Sequence, residues 1–349
     1  MRTPRAISNH ALLWSAGLSL GLLLGGCGGS GGAAGPVGGG TSSGTSGFSQ
    51  GVITAFGTIH MGSGADERIF HVEGARLKRL DDGVEHDGLN DDNVVFRVGM
   101  KVELFHAADS SRATEVHFMD DLEGPITAKP SATAGATFDV LGVPVLVDAN
   151  THFDDSFESS GLTLGALTVG NDIEVSGLFD ASGILHATFI EGRHASSAGR
   201  TFEIKGKVGN LSGAAPNQTF KVNGVTFTMN ASTELHDLVV GLSDGMFVEV
   251  KTSSTAAPFV VTRIESLTGD FESPENEVRG ADEASVEGFI TNLSGTAPNF
   301  SFTLGGTRVT TSSATIAGLG LVAPNAHVEA EGSVGTTGEI KAIRISARQ

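Results

Sequence analysis

The frame Gly-x-Ser-x-Gly, which in hydrolases presents a nucleophilic serine on a sharp strand-to-helix turn, occurs at Gly241-Leu242-Ser243-Asp244-Gly245, at Gly47-Phe48-Ser49-Gln50-Gly51 and again around Ser30. None of the three has the strand before it and the helical pattern after it that the chemistry needs. Ser243 leads into a strand at Val248, and Ser30 and Ser49 sit in Gly/Ser low-complexity sequence. With 49 glycines among 349 residues, chance accounts for the frame. A phosphate-binding Gly-x-x-x-x-Gly-Lys-Ser/Thr loop and a zinc-binding His-Glu-x-x-His helix are both absent from the sequence. The chain therefore reads as a non-enzyme without a cofactor.

Five of the 11 histidines, His60, His71, His86, His106 and His117, fall in one early stretch. If Ile53 and Ile59, Phe70 and Val72, and Val116 and Phe118 face a core, alternation puts His60, His71 and His117 on the outer face of their strands. Beside Glu73 or Glu115 these three are candidate ligands for a borderline metal such as zinc. The plainer reading, exposed polar residues on strands, carries more weight. The run Asp81-Asp82-Gly83-Val84-Glu85-His86-Asp87 with Asp91-Asp92 is acidic enough to attract calcium, but it lacks the ligand spacing of a calcium loop and reads as a solvated acidic loop.

Cys27 is the only cysteine, so no intramolecular disulfide forms. It follows Arg2 and Arg5, an apolar stretch from Ala11 to Leu24, and Leu24-Gly25-Gly26. This resembles the signal and lipobox of bacterial lipoproteins, in which the cysteine is lipidated and becomes the new N-terminus. Gly28, rather than Asp, follows it, and the resemblance then implies the outer membrane. Residues 28–50 are Gly/Ser-rich and without periodicity; such a coil spans roughly 25 Å and would tether the folded part to a lipid surface.

The 40 acidic residues outnumber the 22 basic ones, and removing residues 1–26 leaves a net charge of −20. A polyanion of this kind is not built to neutralise phosphates, so nucleic acid is not an expected partner. The only Trp, Trp14, lies in the signal, and Tyr is absent, which removes the usual stacking platforms.

What positions these residues is a repeat. Asn210-Leu211-Ser212-Gly213-Ala214-Ala215-Pro216-Asn217 returns as Asn292-Leu293-Ser294-Gly295-Thr296-Ala297-Pro298-Asn299. A strand with a central glutamate occurs four times: Val102-Glu103-Leu104, Ile173-Glu174-Val175, Val248-Glu249-Val250 and Val328-Glu329-Ala330. Each copy opens on a glycine: Gly51, Gly124, Gly206 and Gly288. Short runs alternate between apolar and polar residues, with turns such as Val222-Asn223-Gly224-Val225 between them. These features predict an all-β chain of about four small closed β-barrels in series, OB-like or SH3-like, since closure removes exposed edges; a small sandwich is the alternative. The boundaries read as signal 1–26, tether 27–50, and modules 51–123, 124–192, 200–269 and 284–349, with linkers at 193–200 and 270–283.

Gly51-Val52-Ile53-Thr54-Ala55-Phe56-Gly57-Thr58-Ile59, Val98-Gly99-Met100-Lys101-Val102 and Leu122-Glu123-Gly124-Pro125 resemble the family called domain of unknown function 5666, more clearly in the first two copies. The first copy departs at Met61–Asp66, where a Val-Asn-Gly turn belongs, and the second lacks its early Gly-rich turn. The resemblance implies tandem modules in bacterial envelope proteins and brings no activity. The expected role is a non-catalytic envelope lipoprotein, a scaffold or binding protein held at the membrane by its N-terminal lipid. The alternative is a periplasmic metal- or small-ligand-binding protein that uses the histidines of the first module. Alternation also predicts that Glu103, Glu174, Glu249 and Glu329 point to solvent and form a negative surface suited to a cationic partner.

Overall fold

The computed structural model describes residues 46–79, 84–87 (backbone only), 96–107, 110–118, 120–128, 135, 137–154, 161–238, 241–267 and 278–348. They are all-β. A first group of strands holds β1 (Ser46–Ala55), β2 (Ile59–Met61), β3 (Arg68–Phe70), β4 (Arg76–Arg79), β5 (Val84–Asp87), β6 (Lys101–Ala107) and β7 (Ala113–Phe118). A second holds β8 (Leu122–Ala128), β9 (Thr137–Val140), β10 (Val143–Leu146), β11 (His152–Phe153), β12 (Asp172–Phe179) and β13 (Leu185–His194). The third holds β14 (Phe202–Ala214), β15 (Asn217–Val222), β16 (Val225–Thr228), β17 (Glu234–His236), β18 (Phe247–Thr252) and β19 (Phe259–Ser266). The fourth holds β20 (Glu283–Phe289), β21 (Thr291–Thr296), β22 (Asn299–Leu304), β23 (Thr307–Thr310), β24 (His327–Val334) and β25 (Ile340–Ala347).

Local rules explain each group. In the third, Phe220 and Val222 alternate inward on β15, and Val225 and Phe227 do so on β16. Asn223 and Gly224 between them both have positive φ, 47° and 85°, the two-residue turn whose twist suits a hairpin. The first half of β14 pairs with β18 and the second half with β15; β15 continues to β16, β16 to β19, and β19 to β18. The second group repeats this circuit through β8, β9, β10, β13 and β12. The recurring opening glycine has a reason: a Cβ on Gly206 would lie 2.7 Å from Asn223 Oδ1, and one on Gly288 would lie 2.9 Å from Gly305 N. The hairpin turn folds back onto the first strand, and only glycine leaves room for it.

The early turn that the second copy lacks in sequence is present in the structure. Leu141 and Gly142 take φ of 49° and 80° between β9 and β10, the positions that Asn223 and Gly224 occupy in the third group. Leucine is uncommon at such a φ. Here its side chain is fully buried against the opening Gly124, and core burial offsets the backbone cost.

The groups are not strung in series. The first and fourth share a 13-stranded sheet, and the second and third share a 12-stranded one. β1 runs parallel to β20, from Gly47 opposite Glu283 to Gln50 opposite Val286. β8 meets β14 antiparallel, with Glu123 opposite Glu203 and Leu122 opposite Ile204. Residues 46–50, assigned to the tether from the sequence, belong to β1 instead: 47–50 are buried strand, with Phe48 in the core of the fourth group. Residues 193–200 are not a free linker either. Arg193 lies at ion-pair distance from Glu174, and the Ser197 N–H donates to the Gly170 carbonyl. Phe189 of β13 packs into the core of the first group, and one apolar core runs through the second and third.

This packing overturns the outward placement of the recurrent glutamates. Val102, Leu104, Ile173, Val175, Val248, Val250, Val328 and Ala330 do face the cores, as alternation requires. The opposite face, however, lies against another group of strands. Glu103, Glu174 and Glu329 are buried and Glu249 is half-buried. His117, also expected outside, is buried for the same reason.

Candidate functional site

All four strand groups converge on a cavity of about 250 Å³. Phe179 of β12, Phe247 of β18 and Phe289 of β20 give it apolar wall from three groups, and Phe289 is itself held between the rings of His186 and His327. The first group contributes a polar row that the register sets in line: His117 on β7 opposite Glu103 on β6, and Glu103 opposite Gln50 on β1. Gln50 Nε2 donates to Glu103 Oε1 at 2.9 Å. Gln50 Oε1 is buried and accepts no hydrogen bond from the described residues. Glu103 is only 7% exposed, and among the described residues no cation stands at ion-pair distance from it.

The remaining charges around the cavity are matched. Lys205, on β14, donates to Asp120 at 2.7 Å and to Glu203 at 2.8 Å, with Glu249 at 3.8 Å. Burial would lower the Lys205 pKa, but the carboxylates of Asp120, Glu203 and Glu249 outweigh it and hold the ammonium well above its usual range. Burial likewise acts to raise Glu203, and Lys205 and Lys251 overcome it, bringing its pKa down to about 2. Lys101 pairs with Asp121. Asp180 accepts from the N–H groups of Ser182 and Ile184 and lies 3.2 Å from His186 Nε2. Lys207 is exposed at the rim.

Beside the cavity, the junction of β12, β8 and β14 sets Glu174, Glu123 and Glu203 directly opposite one another. Glu174 is 1% exposed and lies 3.6 Å from Arg79 and 3.3 Å from Arg193. Glu123 has Arg193 at 4.0 Å, which does not offset burial and the neighbouring Asp172, Glu203 and Asp120; its pKa is pushed up to about 7. Asp172, 1% exposed and without a hydrogen-bond partner among the described residues, is pushed up to about 6 by burial against the pull of Arg193 and Arg200.

The residues singled out in the sequence are scattered. His60 lies 3.0 Å from Glu67 and accepts or donates to Thr58, and the register places Ile69, not His71, opposite it. His71 is exposed, with Glu73 at 3.9 Å. His117 Nε2 lies 2.8 Å from Glu115. Among the described residues no group of three or more His, Cys, Asp or Glu could hold a metal ion. Ser243 sits on an exposed turn, its N–H directed at Met246 Sδ. Ser49 does meet a histidine, with Oγ 3.0 Å from His106 Nε2, but both are buried inside paired strands and His106 Nδ1 faces the Ala107 carbonyl rather than a carboxylate. Cys27 lies outside the described residues, as do most of the acidic run 81–92 and the stretch 270–277. Gln50 and the three phenylalanines were not signalled by motif; Glu103 was, through the repeat, but on the wrong side of the solvent boundary.

Three stretches, residues 123–191, 205–265 and 287–346, match the family described as Domain of unknown function (DUF5666), and together they make up more than half of the chain. The chain belongs to this family. The matched DUF5666 stretches correspond to the second, third and fourth strand groups; the first, where the resemblance in sequence was drawn most fully, lies outside them. No protein of curated function matches the chain.

Proposed function

We propose that the chain is a non-catalytic binding protein of the cell envelope, lipid-anchored at Cys27, in which four small closed β-barrels fold against one another around a shared cleft. The observation that carries the binding role is that cleft: each of the four strand groups contributes wall to it. Concave sites lined by apolar side chains with a few convergent polar groups are where small molecules bind. The circuit of pairing in the second and third groups supports closure. In the fourth, β20 pairs with β24 and its continuation β21 pairs with β22, which supports the same design. The motif ending at Cys27 supports the anchor.

Two measurements test the reading. Thr303→Phe puts a large side chain at the wall of the cleft; calorimetric titration of the full chain with small organic probes should show binding that this variant loses while its melting temperature stays within a few degrees. Probes that bind the variant and the parent alike place binding elsewhere. For the anchor, Cys27→Ala should move the protein out of the membrane fraction and remove lipid mass; an unchanged fractionation counts against it.

A further inference from the structure

The cleft contains one imbalance. Buried charges in folded proteins are paired, because an ionised carboxylate taken out of water without a counter-charge is costly. The lysines near the cleft obey this: Lys205 is surrounded by Asp120, Glu203 and Glu249, and Lys101 is matched by Asp121. Asp180 is satisfied by two backbone N–H groups and by His186. Glu103 is the exception: it is buried at the cavity wall, and among the described residues its partner is only the neutral amide of Gln50.

Gln50 compounds the imbalance. Its amide is oriented by the bond to Glu103, so Oε1 is turned away from that carboxylate, and it is 4% exposed with no donor to accept from. A Cβ built on Gly305, another residue of the cavity wall, would lie 2.5 Å from this oxygen. The oxygen thus points toward a position left open by a glycine. A lone buried acceptor in a native structure asks for a donor, and none of the described residues supplies one. The two residues together present a negative charge and a spare acceptor to the same space, and Phe179, Phe247 and Phe289 supply apolar wall around it.

We propose that the shared cleft takes a small organic cation, an amine or ammonium compound, with Glu103 as its counter-charge, Gln50 Oε1 as acceptor for one of its N–H groups, and the three phenylalanines against its carbon skeleton. This rests on the reading of the cleft as a binding site and specifies its ligand. An organic cation fits better than a bare metal ion. The wall offers one carboxylate, one amide oxygen and the ring of His117 at this point, fewer than the four to eight ligands that zinc or calcium requires, and aromatic rings attract an alkylammonium group that keeps only part of its hydration. A cavity of about 250 Å³ lies just below the usual range for small-molecule pockets and restricts the ligand to a compact molecule.

The test uses the full chain and three probes of one shape: benzylamine, benzyl alcohol and benzoate, titrated calorimetrically at pH 7, with zinc chloride as a fourth. Benzylamine should bind at least tenfold more tightly than benzyl alcohol, and benzoate should not bind. Glu103→Gln, which keeps the shape and the bond to Gln50, should erase the preference of the amine over the alcohol. Thr303→Phe should abolish binding of both, which keeps the test informative if Glu103→Gln fails to fold. Equal binding of the amine and the alcohol, both lost in Thr303→Phe, overturns the cation class and leaves the cleft as a binding site. Zinc binding that Glu103→Gln removes, without amine binding, overturns the organic class. No binding of any probe overturns both the class and the binding role.

Discussion

The two junctions that join the strand groups use charge differently. Where β1 runs beside β20, the strands are lined by hydrogen bonds within each group, Ser49 with His106, Ser285 with Glu329 and the Gln50 amide on Glu103, and the charges that cross between the groups do so as separate pairs, Arg68 with Glu329 and Arg344 with Asp66. Where β8 meets β14, the contact is a field of charges, with Glu174, Glu123 and Glu203 in one row and Lys205, Lys251, Arg193 and Arg79 set against them. Neutral hydrogen bonds contribute about 1 kcal/mol each and tolerate loss. A buried charge network is different: its net contribution is small, but removing a single member leaves the others uncompensated. The first-and-fourth junction should therefore degrade gradually under mutation, and the second-and-third should fail abruptly.

The largest effect should come from Lys205→Met. It keeps the aliphatic length and removes the ammonium that Asp120, Glu203 and Glu249 share. Leaving buried carboxylates without their cation costs about 3–5 kcal/mol, read as a fall in the denaturant midpoint of the full chain. A loss below about 1 kcal/mol would erase the distinction between the junctions.

pH separates them next. Glu123 has a folded pKa of about 7 against a usual value of 4.5, so the folded state holds a proton that the unfolded state has released. Stability from this group is full below pH 4.5 and is lost as pH rises to 7, by about 3 kcal/mol on the scale of 1.36 kcal/mol per unit. Asp172, at about 6 against 3.8, tilts the same way. His106 at the other junction tilts oppositely. Burial, helped by the charge of Arg68 and opposed by the Ala107 carbonyl, lowers its pKa below the usual 6.5, so its stability is present above pH 6.5 and lost as pH falls. Glu123→Gln should raise the stability at pH 7.5 and flatten the profile between pH 4.5 and 7. A variant whose profile parallels that of the parent would mean that Glu123 is not the group held protonated.

These junctions are also where the sequence stops being informative. The cores were legible: Val248 and Val250 face inward as alternation demands, the opening glycines mark the strand groups, and Asn223-Gly224 marks the hairpin turn of the third. Alternation assigns residues to two faces but does not say what covers the second. A strand buried on both faces usually announces itself as a continuous apolar run. Here the second face is covered through Glu, Lys, Gln, Ser and His, so Val102-Glu103-Leu104 and Ile173-Glu174-Val175 read as half-exposed strands. The pairing that buries Gln50 is with Val286, across nearly the whole folded chain, and no local pattern encodes it. Phe48 and Ser49 were lost in Gly/Ser sequence for the same reason, and Leu141-Gly142 escaped notice as a turn because leucine stands where asparagine does in the third group.

The smallest effect is expected from Ser49→Ala, and it tests the gentler half of the comparison. The Ala107 carbonyl can only accept, so the neutral His106 carries its proton on Nδ1 and Nε2 is the acceptor; the Ser49 hydroxyl is then the donor at 3.0 Å. The alanine variant loses one neutral hydrogen bond and leaves Nε2 buried without a donor, at a cost of about 1 kcal/mol at pH 8. The packing around it is unchanged, since the close contact of the His106 ring is with Gly47, where a Cβ would lie 2.3 Å away. Without the hydroxyl, nothing favours the neutral ring through Nε2, so the His106 pKa should rise toward its usual range and the difference from the parent should shrink below pH 6.5. Paired melts of the parent and Ser49→Ala at pH 8 and pH 5.5 read this directly. A loss as large as that of Lys205→Met, or one that grows as the pH falls, would show that Ser49 and His106 belong to a shared charge network rather than to a neutral bond beside separate pairs, and the contrast between the two junctions would be gone.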